Sequence, residues 1–162
     1  MATCTIPTIS LSATYNVECW HGDTLKWVDN NHNLVVNTGL EFALDRTFGD
    51  AEQPQWYCGL MLTGYPVSED TMEDHEFTEF LGTTSNSRMI AEFYKHSEMS
   101  YQAVDVQCMI TENTTINGAF MTTGSVKGGN EGLLYGAANF TSPQDVVVGD
   151  ALLVTITLGA KP

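Results

Sequence analysis

Hydrophobic and polar residues alternate along the last third of the chain, residues 104–158. Four apolar residues near its start share one parity: Val104, Val106, Cys108 and Ile110. Residues 152–158 repeat the pattern, with Leu, Val, Ile and Leu on one parity and Thr on the other. Residues 116–122 and 133–140 are further strand candidates bounded by Gly and Asn. A period of two is typical of strands with one buried face, so the pattern predicts four antiparallel strands covered by a second layer.

The first part of the chain predicts shorter strands. Residues 15–20 and 25–28 flank a polar, glycine-containing link at 21–24 that suits a hairpin. The Asp-Asn-Asn run at 29–31 predicts a turn, because Asp and Asn side chains bond to nearby backbone and tolerate tight reversals. An extended segment follows at 33–36. Further strand candidates are residues 55–62 and 88–94.

Residues 38–48 predict the one short helix. Thr38 and Glu41 have the spacing of a capping box, and Gly49 supplies a stop. Apolar residues recur at helical spacing and predict one buried face: Leu40, Ala43, Leu44 and Phe48. We therefore expect this helix to cover the open side of a sandwich.

Composition agrees with an all-β protein of one domain. The chain has 162 residues, 43% of them hydrophobic, which suffices for one continuous core. Charged residues are only 16%, which is low for a protein with solvated helices. We predict a single, jelly-roll-like β-sandwich with one short α-helix. Residues 1–16 would form an amino-terminal arm or edge strand, and residues 17–162 the sandwich domain.

The charge balance argues against nucleic acid and membranes as partners. Six Lys and Arg against twenty Asp and Glu give a net charge of −14, and the cations are scattered along the sequence. No apolar run approaches the roughly 20 residues that span a bilayer. The first residues also lack the basic and apolar regions of a signal peptide, so synthesis is expected in the cytosol.

No residue pattern predicts a catalytic, cofactor or metal site. Cys4, Cys19, Cys58 and Cys108 lie far apart and are expected to be buried, small apolar side chains. The four histidines have no spacing that implies a shared metal, and His75 lacks a second His four residues later. An enzyme is therefore not expected.

Two stretches carry weak signals for ligands. Six acids crowd residues 69–79, but the alternate ligands and central Gly of a calcium loop are absent, which favours a solvated acidic surface in a loop with a helical turn. The glycine-rich residues 124–132 contain Lys127, but Gly follows it where a phosphate loop has Ser or Thr. That stretch predicts a mobile hairpin tip.

Aromatic residues leave two alternatives open. Five of them could stack on sugar rings: Trp20, Trp27, Trp56, Tyr57 and Tyr65. Residues of this kind more often fill a sandwich core or a subunit interface.

A series of short motifs resembles a known group of proteins. In order along the chain they are HNLVVNTGL at 32–40, WYCGL at 56–60, TINGAF at 115–120, GLLYG at 132–136 and VGDALLVT at 148–155. The series is similar to small virion structural proteins of tailed bacteriophages and covers roughly residues 17–158. Glu41, Phe42 and Cys58 depart from the residues common at these places. These are structural motifs, so the resemblance implies no catalytic residue.

The resemblance implies a role in the virus particle. Capsid decoration, or cement, proteins fit the size, the expected sandwich and the acidic surface, which implies the major capsid protein as partner and the outer capsid surface as location. Assembly would take place in the host cytoplasm, with the protein as a homo-oligomer, most simply a homotrimer. A tail- or fibre-associated module, bound to tail proteins, and a host-carbohydrate-binding module are the alternatives.

The arm at residues 2–12 is a candidate clasp on another subunit. It is apolar and has no strong turn signal, so it can lie extended on a sheet edge; a strand of its own sandwich is the equal alternative. Our interface candidates are Ile6, Ile9, Leu11, Trp20, Trp27 and Trp56.

Overall fold

The computed structural model describes residues 10–161, which form ten strands and one helix. In chain order they are β1 (Ser10–His21), β2 (Thr24–Val35), α1 (Asn37–Phe48), β3 (Trp56–Gly64), β4 (Phe77–Phe80), β5 (Met89–Ala91), β6 (Phe93–Ser97), β7 (Ser100–Met109), β8 (Thr114–Thr122), β9 (Leu134–Val146) and β10 (Asp150–Lys161). This confirms the predicted all-β sandwich with one short helix.

The strands form two antiparallel layers that share strands at their corners. Layer A has the order β2-β1-β10-β7-β6, and layer B has β9-β8-β3, with β4 and β5 both paired to the other edge of β3. Strand β2 pairs with β1 along most of its length, but Leu34 and Val35 pair with β9. On the opposite side, β5 and β6 are separated only by Glu92 yet pair in different layers. Both corners are therefore bridged by the chain itself.

The main core lies between the two layers. Leu152, Val154 and Ile156 of β10 are fully buried, and they face buried residues of β3, β8 and β9 across the layers. This confirms the period-two pattern of the last strand. The β1–β2 hairpin is also as predicted, with a two-residue turn at Gly22 and Asp23 in which Gly22 has a φ of 57°.

Strand β7 departs from strict alternation. Val154 pairs with Val106 and Ile156 with Ala103, so two residues, Val104 and Asp105, lie opposite one. This bulge turns Val104 outward, where it is 45% exposed, and Ala103 is buried in its place. The prediction that Val104 points inward is therefore wrong. At the bulge, Asp105 adopts a left-handed backbone conformation with a φ of 59°.

Replacing Asp105 with Gly should stabilise the protein. A left-handed backbone costs a residue with a Cβ about 1 kcal/mol, and glycine removes that cost. We expect the free energy of unfolding, measured by urea denaturation, to rise by up to about 0.5 kcal/mol, because the entropic cost of a strand glycine, about 0.5–1 kcal/mol, offsets part of the relief. Gln107→Gly is the matched control on the same exposed side of β7, and it should be destabilising because Gln107 has no such strain. Equal losses in both variants would contradict this account.

The predicted turn at residues 29–31 is wrong, because β2 runs straight through it. Asp29 pairs with Val17 and points into the sandwich, where it is 4% exposed. Its carboxylate is satisfied there by the side-chain amide of Asn31 at 2.6 Å and by the backbone N–H of Thr141 at 2.9 Å. The Asp and Asn residues thus line the corner where β2 passes from one layer to the other.

A second, smaller core covers the outer face of layer B. Met61, Phe120 and Ala137 point away from the first core and pack with Met72, from the loop at residues 65–76. The predicted helical turn in this acid-rich region is absent, and Phe77–Phe80 is strand β4 instead.

Helix α1 has the predicted bounds but a different orientation. Val36 precedes it without a side-chain cap, and the Thr38 hydroxyl donates to the Leu134 carbonyl at 2.6 Å, so the predicted capping box is wrong. Gly39 is buried so closely against the Tyr135 backbone that a Cβ there would lie 2.2 Å from the carbonyl oxygen. Docking through Gly39 turns most of the predicted buried face outward: Leu40, Leu44 and Phe48 are 41%, 60% and 85% exposed.

Candidate functional site

An apolar groove opens at one end of the sandwich, between helix α1 and the strands. Its volume is about 530 Å³. Its apolar lining comes from the helix and from both layers: Phe42, Trp56, Phe93, Tyr101, Tyr135 and Leu158. Arg46 and Gln53 complete the rim. Because aromatic and aliphatic side chains from the helix and both layers converge on it, the groove is the candidate binding site of this chain.

Packing of α1 against layer B fixes one wall of the groove. The Phe42 and Trp56 rings meet edge to face at 5.3 Å, and Trp56 meets Tyr135 in the same way at 5.5 Å. Burial raises the pKa of Tyr135, so its phenol stays neutral. This wall is therefore an ordered aromatic surface without a charge.

Layer A supplies the opposite wall. Leu158 pairs with Tyr101, and Ala103 pairs with Phe93, so all three groove residues from β6, β7 and β10 lie on neighbouring strands. Tyr101 is 51% exposed, although it continues the inward side of β7. The helix covers layer B at this end but leaves the inner side of layer A open.

Three of the six cations are used inside the fold. Lys26 donates to Asp150, Arg88 is paired with Glu79, and Lys127 donates to carbonyls of the loop at residues 81–85. Burial lowers the pKa of Lys127. Arg46 and Lys95 are exposed at the groove end, Arg46 on the rim and Lys95 opposite Tyr101. Two cations are therefore exposed at the groove end.

Asp150 gathers a polar cluster at the other end of the sandwich. Its buried carboxylate accepts from Lys26 and from the Val147 N–H at 2.9 Å, and the Nδ1 of His21 lies 2.8 Å away. Burial alone would raise the pKa of Asp150, but these hydrogen bonds lower it to about 2. The Cys19 thiol also donates to it, at 3.4 Å, and burial together with the carboxylate raises the pKa of Cys19 to about 12. The cluster therefore keeps Cys19 protonated, unlike a nucleophilic cysteine.

Arg88 and Glu79 form a second polar cluster that anchors the glycine-rich loop. The guanidinium donates to both carboxylate oxygens of Glu79, at 2.9 and 2.8 Å, and to the carbonyls of Gly124 and Gly129 at 2.8 Å. The Gly128 N–H donates to Glu79 at 2.7 Å. Residues 124–132 are therefore bonded to the body of the protein, unlike the free hairpin tip that we predicted.

The acid-rich stretch does not gather into a metal site. Within residues 10–161 no group of three or more His, Cys, Asp or Glu side chains is placed to hold a metal ion. Asp70 is buried and accepts hydrogen bonds from the backbone N–H groups of Val67 and Glu76, so it stabilises the loop at residues 65–76. Glu69, Glu73, Asp74 and Glu76 are at least partly exposed, as predicted.

The interface candidates occupy different places in the fold. Leu11 is 37% exposed at the start of β1, and Trp20 is half-buried and donates to Glu18 at 2.9 Å. Trp27 packs on Phe140, and Trp56 is only 4% exposed on the groove wall. Ile6 and Ile9 lie outside the described residues, as does most of the arm. The described part of the arm belongs to β1, which lies between β2 and β10.

The five aromatic residues nominated for sugar stacking are not brought together. Only Trp56 lines the groove, whereas Tyr65 is 73% exposed in the loop after β3. The other groove residues were missed because nothing in their sequence pattern marks an opening. One signal was present in the sequence: the apolar residues that alternate along β7 and β10 include Tyr101 and Leu158, which lie close to one end of each strand.

The described cysteines are buried, as expected. Cys19, Cys58 and Cys108 are free thiols with less than a tenth of their surface exposed. Burial raises the pKa of Cys58 far above its usual value and that of Cys108 to about 12. Cys4 lies outside the described residues.

Comparisons of the chain with protein-family models, with curated proteins and with solved structures found no match. Among residues 10–161, no helix has both the length and the apolar character needed to cross a membrane.

Proposed function

We propose that this protein is a structural component of a tailed-bacteriophage virion, and that it binds the outside of the head shell as a decoration protein. The proposal rests on the ordered series of motifs from HNLVVNTGL to VGDALLVT. It includes no catalytic role.

The places of the motif residues in the fold carry the proposal. Gly39 lets the helix dock on Tyr135, and a Cβ at Gly59 would lie 2.2 Å from the Phe120 ring. Asp150, from the last motif, is the buried acceptor of the polar cluster. All three residues act on packing between elements, so the motif series describes an architecture, which supports a structural role.

The surface charge supports a position facing solvent on a particle. With Lys26, Arg88 and Lys127 bonded internally, few cations remain to offset twenty acids. An acidic outward surface keeps particles apart by repulsion. The contact with the shell would then be made by apolar surface, such as the exposed helix face at Leu40, Leu44 and Phe48.

Imaging of the particle tests the proposal. Virions produced with this gene intact and with the gene deleted would be purified, analysed by mass spectrometry and reconstructed by cryo-electron microscopy. We expect the intact particle to show extra outer-shell density of this protein's size, which the deletion removes. Density on the tail instead would favour the tail-associated alternative, and absence of the protein from purified virions would refute a virion role.

The carbohydrate alternative has its own readout. The aromatic groove is the surface on which a sugar would stack, and Trp56 on its wall reports binding through its fluorescence. A saturable change with host-derived glycans would favour that alternative.

A further inference from the structure

The open groove and the start of strand β1 lie at the same end of the sandwich. Ser10 pairs with Lys161 on β10, and only three residues further along Leu158 lines the groove and pairs with Ala13. Ser10, where the described fold begins, therefore lies near an uncovered apolar surface.

The uncovered surface extends along the inner side of layer A. Leu11 has the parity of the buried residues Ala13 and Tyr15, yet it is 37% exposed. Ala160, its partner on β10, is only half-buried. The side of layer A that faces the core thus continues past the helix, where layer B no longer covers it.

The amino-terminal residues have the chemistry of a segment that would cover it. Residues 2–9 read ATCTIPTI, with two Ile, three Thr and no charged side chain. The β-branched residues favour an extended chain, and Gly, Asn and Asp are absent. Pro7 is a common turn residue, but its φ, fixed at about −65°, also fits an extended polyproline-type chain. Eight residues that continued the line of β1 would extend away from their own sandwich by about 26 Å.

Charge also favours this segment over a broad contact between copies. Each chain carries a net charge of −14, so two flat acidic surfaces repel each other. An uncharged segment that enters a groove beside Arg46 and Lys95 avoids that repulsion.

We propose that residues 2–9 of one copy occupy the groove of a neighbouring copy. Each copy then gives one segment and accepts one, so the contact closes as a reciprocal dimer or as a ring such as the expected trimer. The segment would lie on the inner face of layer A beside Leu158 and Tyr101, where its apolar side chains would contact the groove lining. This inference rests on the homo-oligomer of the proposed function, but it does not depend on where the protein sits in a virion.

Cross-linking through Cys4 tests the inference in purified full-length protein. The buried Cys19, Cys58 and Cys108 compete little, because their thiols are inaccessible and protonated. Single cysteines would be placed on the groove rim by Ala43→Cys and Gln53→Cys, and on the solvent-facing side of α1 by the adjacent control Leu44→Cys. We expect mild oxidation to give covalently linked chains on a non-reducing gel at least about tenfold faster with a rim cysteine, and Cys4→Ser to abolish the product.

Other outcomes overturn the inference. A cross-link within one chain would place the segment in its own groove. Equal rates for Ala43→Cys and Leu44→Cys, or no cross-link from either rim position, would mean that the segment does not occupy the groove.

A second measurement does not depend on the position of Cys4. Sedimentation should show an oligomer for the full chain and a monomer for a variant that lacks residues 2–9, with circular dichroism unchanged because every described element is retained. A monomeric full chain, or a truncated chain that remains oligomeric, contradicts the inference. Failure here leaves the virion reconstruction unaffected, and a protein absent from virions can still cross-link, so the two proposals fail separately.

Discussion

Replacing Arg88 with Ala should lower the free energy of unfolding by about 3–5 kcal/mol, because it leaves the Glu79 carboxylate buried without its partner. The side chains of Arg88 and Glu79 are 1% and 8% exposed, so water cannot replace the lost bonds. The carbonyls of Gly124 and Gly129 lose their donor as well. Urea denaturation measures the loss directly.

Two further variants test whether the loss of stability comes from breaking the Arg88–Glu79 pair or from removing any cation. Arg46→Ala removes an exposed arginine whose guanidinium bonds only to the Ala51 carbonyl among the described residues, and it should change stability by no more than about 0.5 kcal/mol. Arg88→Lys keeps the charge but not the two-pronged geometry, so its loss should be intermediate. A loss below about 1 kcal/mol for Arg88→Ala would show that Glu79 finds other partners.

The same cluster explains part of what the sequence could and could not predict. The last strand and the β1–β2 hairpin were predictable because alternation and turn residues are local signals, readable within about ten residues. The Arg88 contacts join residues 9 to 41 positions apart, and no local pattern indicates that a lone arginine is buried. The glycine-rich loop was therefore mistaken for a free tip.

Helix α1 shows a different limit of sequence reasoning. Its bounds were predictable from the helical spacing of its apolar residues and from Gly49 after its end, but the face it buries is decided by the fit of Gly39 against Tyr135 rather than by the apolar stripe. The bulge at Asp105 is a similar case, since one extra residue reverses the side of Val104 without any change in composition. The groove arises because layer A extends past layer B, which depends on strand pairing across the whole chain.

Replacing Asp150 with Asn should have the second large effect, with a distinct pH dependence. The pKa of Asp150 is lowered to about 2 from an ordinary 3.8, so the folded state favours the ionised carboxylate. That difference corresponds to at most about 2.5 kcal/mol, and partial exposure of Lys26 and His21 reduces the expected value to about 2 kcal/mol. The contribution is fully present above about pH 4 and is lost as the pH falls through about 2.

Stability measured by denaturation at pH 7, 4 and 2 checks both the size and the sign. We expect Asp150→Asn to be less stable than the parent by about 2 kcal/mol at pH 7 and the gap to shrink toward pH 2, where the parent carboxylate is half protonated. Asp45→Asn, at an exposed position on α1, is the control and should show no such gap. If the difference in free energy of unfolding stayed constant from pH 7 to pH 2, the loss would come from the shape or hydrogen bonding of the introduced amide. The charge of Asp150 would then contribute little to holding β1, β2 and β10 together.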